Sequence, residues 1–540
     1  MLRKRSASFE SLASRLLLTG NTDVEPGPAG ENDPITVQIS SAVFVIGTAE
    51  SDTISLDVSG DQYELTVNGS TQQLDPLTVD QVLISGLGSS DQATITTASG
   101  ADRIELNDDE MEIIGIGYTI RVQQIEAVNV VDSGGDDRVR YYDSAGDDIL
   151  LLDPAFSAFT NEQGETYTVS GVEVTEAYAE AGGEDQVFFN DSPDDDRFVG
   201  KEQFSYMVGN GFSNYARGFE MVAAYSRAGG ADEARLHGSD SDDVLVARPN
   251  DVQLTVGTTQ ISAITYPVTR SYGGGGNDQA DVFGQDFVTD RFVWEPESPY
   301  LYTTGMQDPA ADPNDLPANF TPARTSNVFV GFDRIDARGS DDTDRAELMG
   351  SSEADTLVGL PQIVHLETPG ATVEAEDFRI VRSFGRGGDD KAYLEDSAER
   401  DTYVSKRAFV YLEGPDYLNF LADFDEVIVA SMNGGPDHAL ASEYSGPNRD
   451  ALVFDGPQFL LLRLERNERV TGFATARGDA DGADWMATER PSTVLFTIDG
   501  NHVLTSIDSR TPEQRAEIDS LAQGDLLEYA ILDDDIVVAT

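Results

Sequence analysis

The feature that most constrains the fold of this chain is a glycine and aspartate turn that recurs at a nearly constant interval. The copies end at Asp137, Asp185, Asp232, Asp278, Asp344, Asp390 and Asp437, at steps of 48, 47, 46, 66, 46 and 47 residues. A period of this size indicates an array of stacked structural units instead of one closed globule. In most copies a second aspartate follows eleven residues later, as in Asp137 to Asp148 and Asp185 to Asp196.

Short apolar or alternating runs follow these aspartates. Examples are Val187-Phe188-Phe189 and Val244-Leu245-Val246, and such runs between turn residues predict β-strands. Glycine permits a sharp corner, and an aspartate side chain can hydrogen-bond the backbone of that corner. The sequence therefore predicts an all-β repeat protein, a parallel β-solenoid resembling a β-helix, with units of about 47 residues. A β-propeller is the alternative, because a unit of this length also suits a four-stranded blade.

The period also defines the domain organisation. We expect the repeat array to cover residues 39–470, with the long step caused by a loop inserted at about 305–323 that is rich in proline and aspartate. Residues 1–20 are expected to be a sorting segment and 21–38 a linker. Residues 471–540 lack the repeat and are expected to form a cap or a small α+β end domain, since a solenoid needs its terminal edge covered.

The charge balance limits the partners. The chain has 98 Asp and Glu residues against 35 Lys and Arg residues, a formal net charge of −63. Nucleic acid and anionic membranes are therefore not expected partners, whereas divalent cations are. A high-salt habitat would favour the same acidic surface. The chain has no cysteine, which excludes disulfides and thiolate sites, and no apolar run is long enough to predict a transmembrane segment.

Oxygen-rich corners indicate calcium as a candidate cofactor. Calcium takes roughly six to eight oxygen ligands from carboxylates and carbonyls, and adjacent carboxylates repel one another unless a cation neutralises them. The candidate ligands are Asp137, Asp148, Asp185, Asp196, Asp232, Asp243, Asp278, Asp344, Asp355, Asp390 and Asp401. In the alternative, each aspartate only caps its own turn and faces water. Magnesium or a diffuse counterion cloud would give the same sequence pattern.

One turn resembles a known calcium-binding repeat. Residues Gly273 to Asp281 (GGGGNDQAD) fit the nonapeptide GGxGxDxUx of hemolysin-type (RTX) repeats, with alanine at the large apolar position. Elsewhere only the second half of the motif is present, as in Gly135 to Val139 (GDDRV). The corners here are eleven residues apart, which does not match the nonapeptide spacing. The resemblance therefore implies a related coil geometry with irregular calcium sites.

The N-terminus carries a second resemblance. Phe9-Glu10-Ser11-Leu12 and Arg15-Leu16-Leu17-Leu18 resemble the LEPR-XLL type of N-terminal domain, which occurs on large exported proteins of planctomycete bacteria. Leu12-Ala13-Ser14-Arg15 stands in place of the Leu-Glu-Pro-Arg core, so the glutamate and proline are replaced. The resemblance implies an extracellular or cell-surface location on a bacterium.

The sequence gives little support to catalysis. Its four histidines, His237, His365, His438 and His502, are scattered, and no metalloprotease, hydrolase, phosphate-binding or dinucleotide-binding motif is present. We therefore expect a non-enzymatic structural or adhesive component of the cell surface, with cell-surface glycans or other envelope proteins as partners. The alternative is a polysaccharide-active β-helix, a lyase or glycosidase, with a groove near Trp294, Tyr300 and Tyr302.

Overall fold

The structure is a computed structural model that describes residues 34–539 with internal gaps. The gaps are 89, 108–109, 287, 297–299, 308–324, 407, 442–450, 456–457, 463–465, 474, 481–484, 490–493, 499–503 and 507–536. The expected sorting segment (1–20) and most of the inserted loop therefore lie outside the described residues. The chain divides into two compact units, Met1–Gly183 and Glu184–Thr540.

The described strands of the first unit are short and closely spaced. In chain order they are β1 (Ile35–Ile39), β2 (Ala42–Ile46), β3 (Thr53–Asp57), β4 (Tyr63–Val67), β5 (Ser70–Leu74), β6 (Gln81–Ser85), β7 (Gln92–Thr96), β8 (Arg103–Asn107), β9 (Glu110–Gly115), β10 (Tyr118–Gln123), β11 (Ala127–Val131), β12 (Arg138–Tyr142), β13 (Ile149–Leu152), β14 (Phe156–Thr160), β15 (Thr166–Ser170) and β16 (Val174–Tyr178).

The second unit continues with strands of the same length. They are β17 (Gln186–Asn190), β18 (Arg197–Lys201), β19 (Phe204–Gly209), β20 (Phe212–Arg217), β21 (Met221–Tyr225), β22 (Glu233–His237), β23 (Val244–Arg248), β24 (Asp251–Val256), β25 (Thr259–Ile264), β26 (Val268–Tyr272), β27 (Gln279–Phe283), β28 (Val288–Trp294), β29 (Tyr300–Gln307), β30 (Ser326–Val330), β31 (Arg334–Arg338), β32 (Arg345–Met349), β33 (Thr356–Gly359), β34 (Ile363–Thr368), β35 (Ala371–Glu376), β36 (Ile380–Phe384), β37 (Lys391–Glu395), β38 (Thr402–Ser405), β39 (Phe409–Glu413), β40 (Leu418–Ala422), β41 (Glu426–Ala430), β42 (His438–Ala441), β43 (Ala451–Asp455), β44 (Gln458–Leu462), β45 (Asn467–Thr471), β46 (Thr475–Ala480), β47 (Trp485–Glu489), β48 (Val494–Ile498), β49 (Leu504–Ser506) and β50 (Val537–Ala539).

The predicted all-β solenoid is confirmed. Each unit has two sheets, A and B, and the chain passes from one sheet to the other at every corner, so that parallel strands stack turn upon turn. In sheet A of the first unit, for example, β12 pairs in parallel with both β8 and β16. No helix occurs in the residues that the structure describes. The parallel stacking excludes the propeller, whose blades are separate four-stranded sheets.

Three-stranded meanders interrupt the simple coil and alternate between the sheets. A meander is a strand followed by two antiparallel neighbours in the same sheet, such as β18–β20 in sheet A. The next one, β23–β25, lies in sheet B, and β28–β30 returns to sheet A. Each sequence unit contributes one meander and two single strands. The structural repeat of the solenoid is therefore two sequence units, about 94 residues long.

The core lies between the two sheets. Alternate residues of each strand point inward, as Val139 and Tyr141 do in β12, where their exposures are 0% and 1%. The neighbouring outward residues, Arg138 and Arg140, remain in contact with solvent. The stacking also continues into the segment predicted as a cap, because β46 pairs in parallel with β42, and β47 with β43.

Tight corners explain several of the glycines in the repeat. A Cβ atom on Gly385 would lie 2.0 Å from the Asp423 carbonyl oxygen and 2.6 Å from Oδ2 of Asp390. The corner therefore has no space for a side chain at this position. A Cβ atom on Gly370, in the β34–β35 turn, would have no heavy atom within 4 Å.

We predict that Gly385→Ala destabilises the protein by about 1–3 kcal/mol, because the backbone of two successive turns must separate. Gly370→Ala is the matched control and is expected to change the stability by less than about 0.5 kcal/mol. Urea unfolding of both variants measures the difference. Equal stabilities would contradict the close approach of the turns at Gly385.

Candidate metal centre

All eleven aspartates predicted as metal ligands are buried at corners between the sheets. Their exposures do not exceed 3%. Asp137, Asp232, Asp344, Asp196 and Asp401 lie at corners that lead from sheet B to sheet A, and Asp148, Asp185, Asp243, Asp278, Asp355 and Asp390 lie at corners that lead from sheet A to sheet B. The two aspartates of an eleven-residue pair are therefore at opposite edges of the solenoid. They do not meet.

The aspartates that do meet belong to neighbouring turns. The backbone N–H of Asp102 donates to Oδ1 of Asp137 at 2.7 Å, and the N–H groups of Asp243 and Asp355 donate to Asp278 and Asp390 at 2.9 Å. The same bond joins Asp196 to Asp232, Asp290 to Asp344, and Asp401 to Asp437. We call these rows of buried carboxylates the aspartate ladders.

Several corner aspartates also donate their own N–H to another acidic side chain. The N–H of Asp137 donates to Glu173 at 2.9 Å, and that of Asp185 donates to Glu220 at 2.9 Å. Asp278 and Asp390 donate in the same way to Asp333 and Asp425. Each carboxylate thus satisfies a corner N–H group that strand pairing leaves without an acceptor.

Many of the aspartates also cap their own corner. Oδ2 of Asp148 accepts the Ser144 N–H at 2.6 Å, and the Ser144 hydroxyl donates to Oδ1 at 2.9 Å. A serine four residues before the aspartate makes the same N–H bond to Asp196, Asp243, Asp344, Asp355 and Asp401. The aspartates therefore cap turns, as one hypothesis held, but they do so inside the protein and not at its surface.

The first unit contains a cluster of three carboxylates. One oxygen each of Asp102, Asp132 and Asp137 lies within 4.8 Å of the others. Tyr118 donates to Oδ2 of Asp102 at 2.9 Å, whereas Oδ1 of Asp102 and Oδ2 of Asp137 are buried without a hydrogen-bond partner. Both residues are at most 4% exposed. Two buried oxygen atoms thus lack the donor that a buried carboxylate needs.

The second unit contains a matching cluster, Asp396, Asp401 and Asp437, with the same 4.8 Å limit. Tyr417 donates to Oδ1 of Asp401 at 2.9 Å, in the role that Tyr118 has for Asp102. Oδ1 of Asp396 accepts the N–H groups of Met432 and Asn433, but its Oδ2 is buried without a partner.

The raised pKa values of these carboxyl groups show that their ionised forms are destabilised in the folded protein. Burial, together with the nearby Asp132 and Asp102 carboxylates, raises the pKa of Asp137 to about 7. Burial likewise raises the pKa values of Asp102 and Asp401. Desolvation and like-charge repulsion both disfavour the ionised form. A bound cation removes both costs, and these buried clusters could hold a metal ion through carboxylate oxygens whose separation suits a shared ion.

The candidate ligands predicted from the sequence include only one member of each of these two clusters, Asp137 or Asp401; Asp102 and Asp437 were left out, and the five-residue pairs were not recognised. Asp132 precedes Asp137 by five residues, and Asp396 precedes Asp401 by five, each in a DSxxxD pattern. Other corners have glycine at this position, as in Gly238-Ser239 before Asp243 and Gly350-Ser351 before Asp355. The exchange of GSxxxD for DSxxxD thus adds a carboxylate to a corner. Asp143 and Asp191 occupy the same position, but among the described residues Asp191 belongs to no cluster of three, so the pattern alone does not mark a cluster.

The residues considered for catalysis do not converge. The three described histidines lie in separate strands, β22, β34 and β42. His237 stacks on Tyr272 with 4.7 Å between the ring centroids, and burial lowers its pKa. Trp294 is only 2% exposed and fills the core. Tyr300 and Tyr302 lie in β29, and their side chains are outside the described part of the structure, as is His502.

Comparison of the chain with models of known protein families gave no match, and comparison with curated protein sequences gave none. In the described residues, no helix is long and apolar enough to cross a membrane.

Proposed function

We propose that the protein is a non-catalytic β-solenoid scaffold of the bacterial cell surface, structural or adhesive in role, and that calcium stabilises it at the two carboxylate clusters. The observation that carries the proposal is the set of buried carboxylate oxygens without a donor at Asp102, Asp137 and Asp396. Folding desolvates these charges, and only a cation or a proton compensates them.

The ligand chemistry favours calcium over magnesium. Calcium accepts irregular oxygen coordination at about 2.3–2.6 Å, whereas magnesium needs near-ideal octahedral geometry and retains several waters. Each cluster offers three carboxylates fixed by rigid turns, and backbone carbonyls and water would complete the shell. The resemblance of the N-terminus to exported planctomycete proteins supports an extracellular location, where sites with dissociation constants of about 0.1–1 mM are common.

The burial of the acidic groups supports a scaffold over an enzyme. A glycosidase needs two carboxyl groups roughly 5–9.5 Å apart that reach the substrate. Asp102, Asp137, Asp396, Asp401 and Asp437 are at most 4% exposed, so they serve the interior of the coil. For these residues the hypothesis of a polysaccharide-active site has no geometric support.

We predict that calcium raises the unfolding free energy of the full chain by about 2.7 kcal/mol per site when it is in hundredfold excess over its dissociation constant. Thermal unfolding in EDTA, in calcium and in magnesium at constant ionic strength measures this. A shift with calcium alone supports the metal sites. Small and equal shifts with both ions would show that the ions only screen the negative charge of the protein.

The variant Asp396→Asn tests one cluster directly. The amide oxygen still accepts the Met432 and Asn433 N–H groups, while the unpartnered oxygen is replaced by a neutral NH₂ group. The variant should therefore be more stable than the wild type in EDTA and should gain less stability from calcium. Asp389→Asn, at an exposed residue, removes the same charge and should leave the calcium response unchanged.

A further inference from the structure

The outward face of sheet A over strands β18–β20, β22 and β26 has an unusual composition. Strand register places its side chains in three columns of five. The columns contain five cations, four aromatic rings, one histidine and one carboxylate: Arg197, Lys201, Arg217, Arg235 and Arg270; Phe204, Tyr206, Tyr215 and Tyr272; His237; and Glu233. The remaining positions are Val199, Val208, Ser213 and Val268. We call this surface the cationic face.

The cationic face has the opposite sign to the protein as a whole. Its formal charge is +5 − 1 = +4, since the pKa of His237 is lowered by burial and by the nearby Lys201 and Arg235. The whole chain has a net charge of −63. At physiological ionic strength charges act over about 8 Å, so the charges of the face itself weigh most for a group in direct contact with it.

The side chains of the face are already held in place. Glu233 binds the guanidinium groups of Arg235 at 3.0 Å and Arg270 at 2.8 Å, and Lys201 lies 5.5 Å from the centroid of the Phe204 ring. An open depression of about 510 Å³ lies beside these residues, lined in part by Val268, Arg270 and Tyr272. A partner that binds here therefore loses little additional side-chain entropy.

The orientation of the rings favours a protein partner over a polysaccharide. Phe204 stacks on Tyr215 at 5.8 Å with 25° between the planes, and His237 stacks on Tyr272 at 4.7 Å with 9°. In each pair, one face of each ring is therefore turned towards the neighbouring ring. Sugar stacking needs open ring faces, whereas tyrosine and arginine are the residues most enriched at protein interfaces.

The chain itself carries the complementary surface. Exposed acids project from the corners that lead from sheet A to sheet B in the second unit, namely Asp240, Asp242, Glu353 and Asp389. We call this row the acidic edge. The cationic face and the acidic edge are different surfaces, so contact between two copies would be heterologous, and such contacts extend into open arrays or close into rings.

We propose that the cationic face binds the acidic edge of a second copy of the same chain, so that solenoids associate side by side. The inference is independent of the metal sites and deepens the proposed scaffold role. The face measures roughly 24 Å by 16 Å, from five strands about 4.8 Å apart and five residues of about 3.3 Å each. Such an area is below the standard interface size, so each contact is weak and an array gains its strength from many contacts.

The test is sedimentation velocity of the full chain at about 10–500 µM, in about 0.15 M and 1 M salt, with calcium present throughout. We expect association that depends on concentration and weakens in the higher salt. The double variant Lys201→Glu with Arg270→Glu should weaken it at least about tenfold. The control, Arg382→Glu with Arg121→Glu, makes the same charge change at exposed residues outside both surfaces and should associate like the wild type.

A mixing experiment identifies the two surfaces. A second variant, Asp240→Asn with Glu353→Gln and Asp389→Asn, removes three of the four charges of the acidic edge and keeps Asp242, which accepts the Asn277 N–H. Each variant alone should remain monomeric, and an equimolar mixture should form a 1:1 dimer that grows no further. A monomeric wild type, an unaffected face variant or a monomeric mixture would each overturn the proposal.

Polygalacturonate serves as the competing probe. If it binds the wild type but not the face variant, while the wild type remains monomeric, the occupant is an anionic polysaccharide and self-association is refuted. Circular dichroism shows whether every variant is folded, and calcium-dependent unfolding tests the metal sites. Failure of self-association can therefore be distinguished from failure of the proposed function. A chain that does not self-associate but is stabilised by calcium leaves the metal-stabilised scaffold intact.

Discussion

Raising the pH from about 5 to about 8.5 in EDTA is expected to lower the unfolding temperature of this protein, the reverse of the usual behaviour of a protein rich in ionised carboxylates. Asp290 is the main cause. It is fully buried, its Oδ1 has no hydrogen-bond partner, and burial together with the Asp344 carboxylate raises its pKa to about 8. Burial also raises the pKa values of Asp344 and Asp390 to about 6.

The direction of this change in stability with pH follows from proton binding. Between the unfolded pKa of about 3.9 and the folded value of about 8, the folded state holds a proton on Asp290 that the unfolded state releases. The stabilisation is therefore complete below the unfolded pKa and is lost as the pH rises through the folded pKa. At about 1.4 kcal/mol for each pKa unit, Asp290 alone accounts for on the order of 5 kcal/mol across this interval.

The variant Asp290→Asn isolates this group. Its amide oxygen can still accept the Gln285 N–H that now bonds Oδ2 at 2.6 Å, and it carries no charge at any pH. The decline between pH 5 and pH 8.5 should become clearly smaller, and the variant should be more stable than the wild type at the higher pH. Asp286→Asn, at a nearby exposed residue, is the control and should leave the profile unchanged. A wild-type stability that rises with pH would contradict the assignment.

Removing a buried carboxylate that caps a corner is expected to have the second large effect. Asp401 accepts the Ser397 N–H, the Ser397 hydroxyl and the Tyr417 hydroxyl, all within 3.1 Å. Asp401→Ala leaves these three donors in a buried corner without an acceptor. At about 1–3 kcal/mol for each unsatisfied group, the loss should reach roughly 3–6 kcal/mol, measured by urea unfolding at pH 7 in EDTA.

Two further variants separate this effect from a general loss of charge. Tyr417→Phe removes one donor and should cost only about 1 kcal/mol. Asp416→Ala, at an exposed residue beside Tyr417, should be nearly neutral. If Asp401→Ala were as mild as Asp416→Ala, the bonds that the Asp401 carboxylate accepts from Ser397 and Tyr417 would contribute little to stability.

The sequence was sufficient to predict the class of fold. A glycine and aspartate turn that recurs after 46 to 48 residues in five of six steps, followed by apolar runs of strand length, predicted the solenoid that the structure contains. Glycine and aspartate carry this information because the corners are physically demanding. Gly385 has no space for a Cβ atom, and the adjoining Asp390 accepts a backbone N–H of the previous turn.

The sequence did not show which aspartates meet. Asp137 and Asp148 are separated by one strand, β12, which carries the chain to the opposite edge. Asp102 and Asp137 are separated by four strands, β8 to β11, which return it to the same edge. An odd number of strands places two aspartates at opposite edges and an even number places them at the same edge, where those four strands apart meet. Because meanders reverse the chain within a sheet, the number of residues between two aspartates does not reveal how many strands separate them.

The candidate metal ligands were predicted only in part. Asp137 and Asp401 were identified as ligands, whereas the other two members of each cluster were not. Asp132 and Asp396 were missed because they replace a glycine, and the corner aspartates Asp102 and Asp437 were left out of the predicted set. Asp132 and Asp396 complete a cluster only together with a carboxylate of the next or previous turn, which becomes a neighbour only after folding. The proposed calcium stabilisation thus depends on contacts about 35 residues apart in sequence.

The alternation of the meanders determines how such an array can change in length. Consider the gain or loss of one sequence unit of about 47 residues in the part of the chain that follows Gly183. The next meander would form on the opposite sheet, so every later strand would exchange sheet A for sheet B or the reverse. All later strands would then be rotated by half a turn about the long axis. A surface such as the cationic face would point away from its former neighbours, although each turn would still fold. Duplication of two sequence units preserves the direction of every face. Insertions in pairs therefore lengthen the solenoid without changing the direction in which its surfaces point.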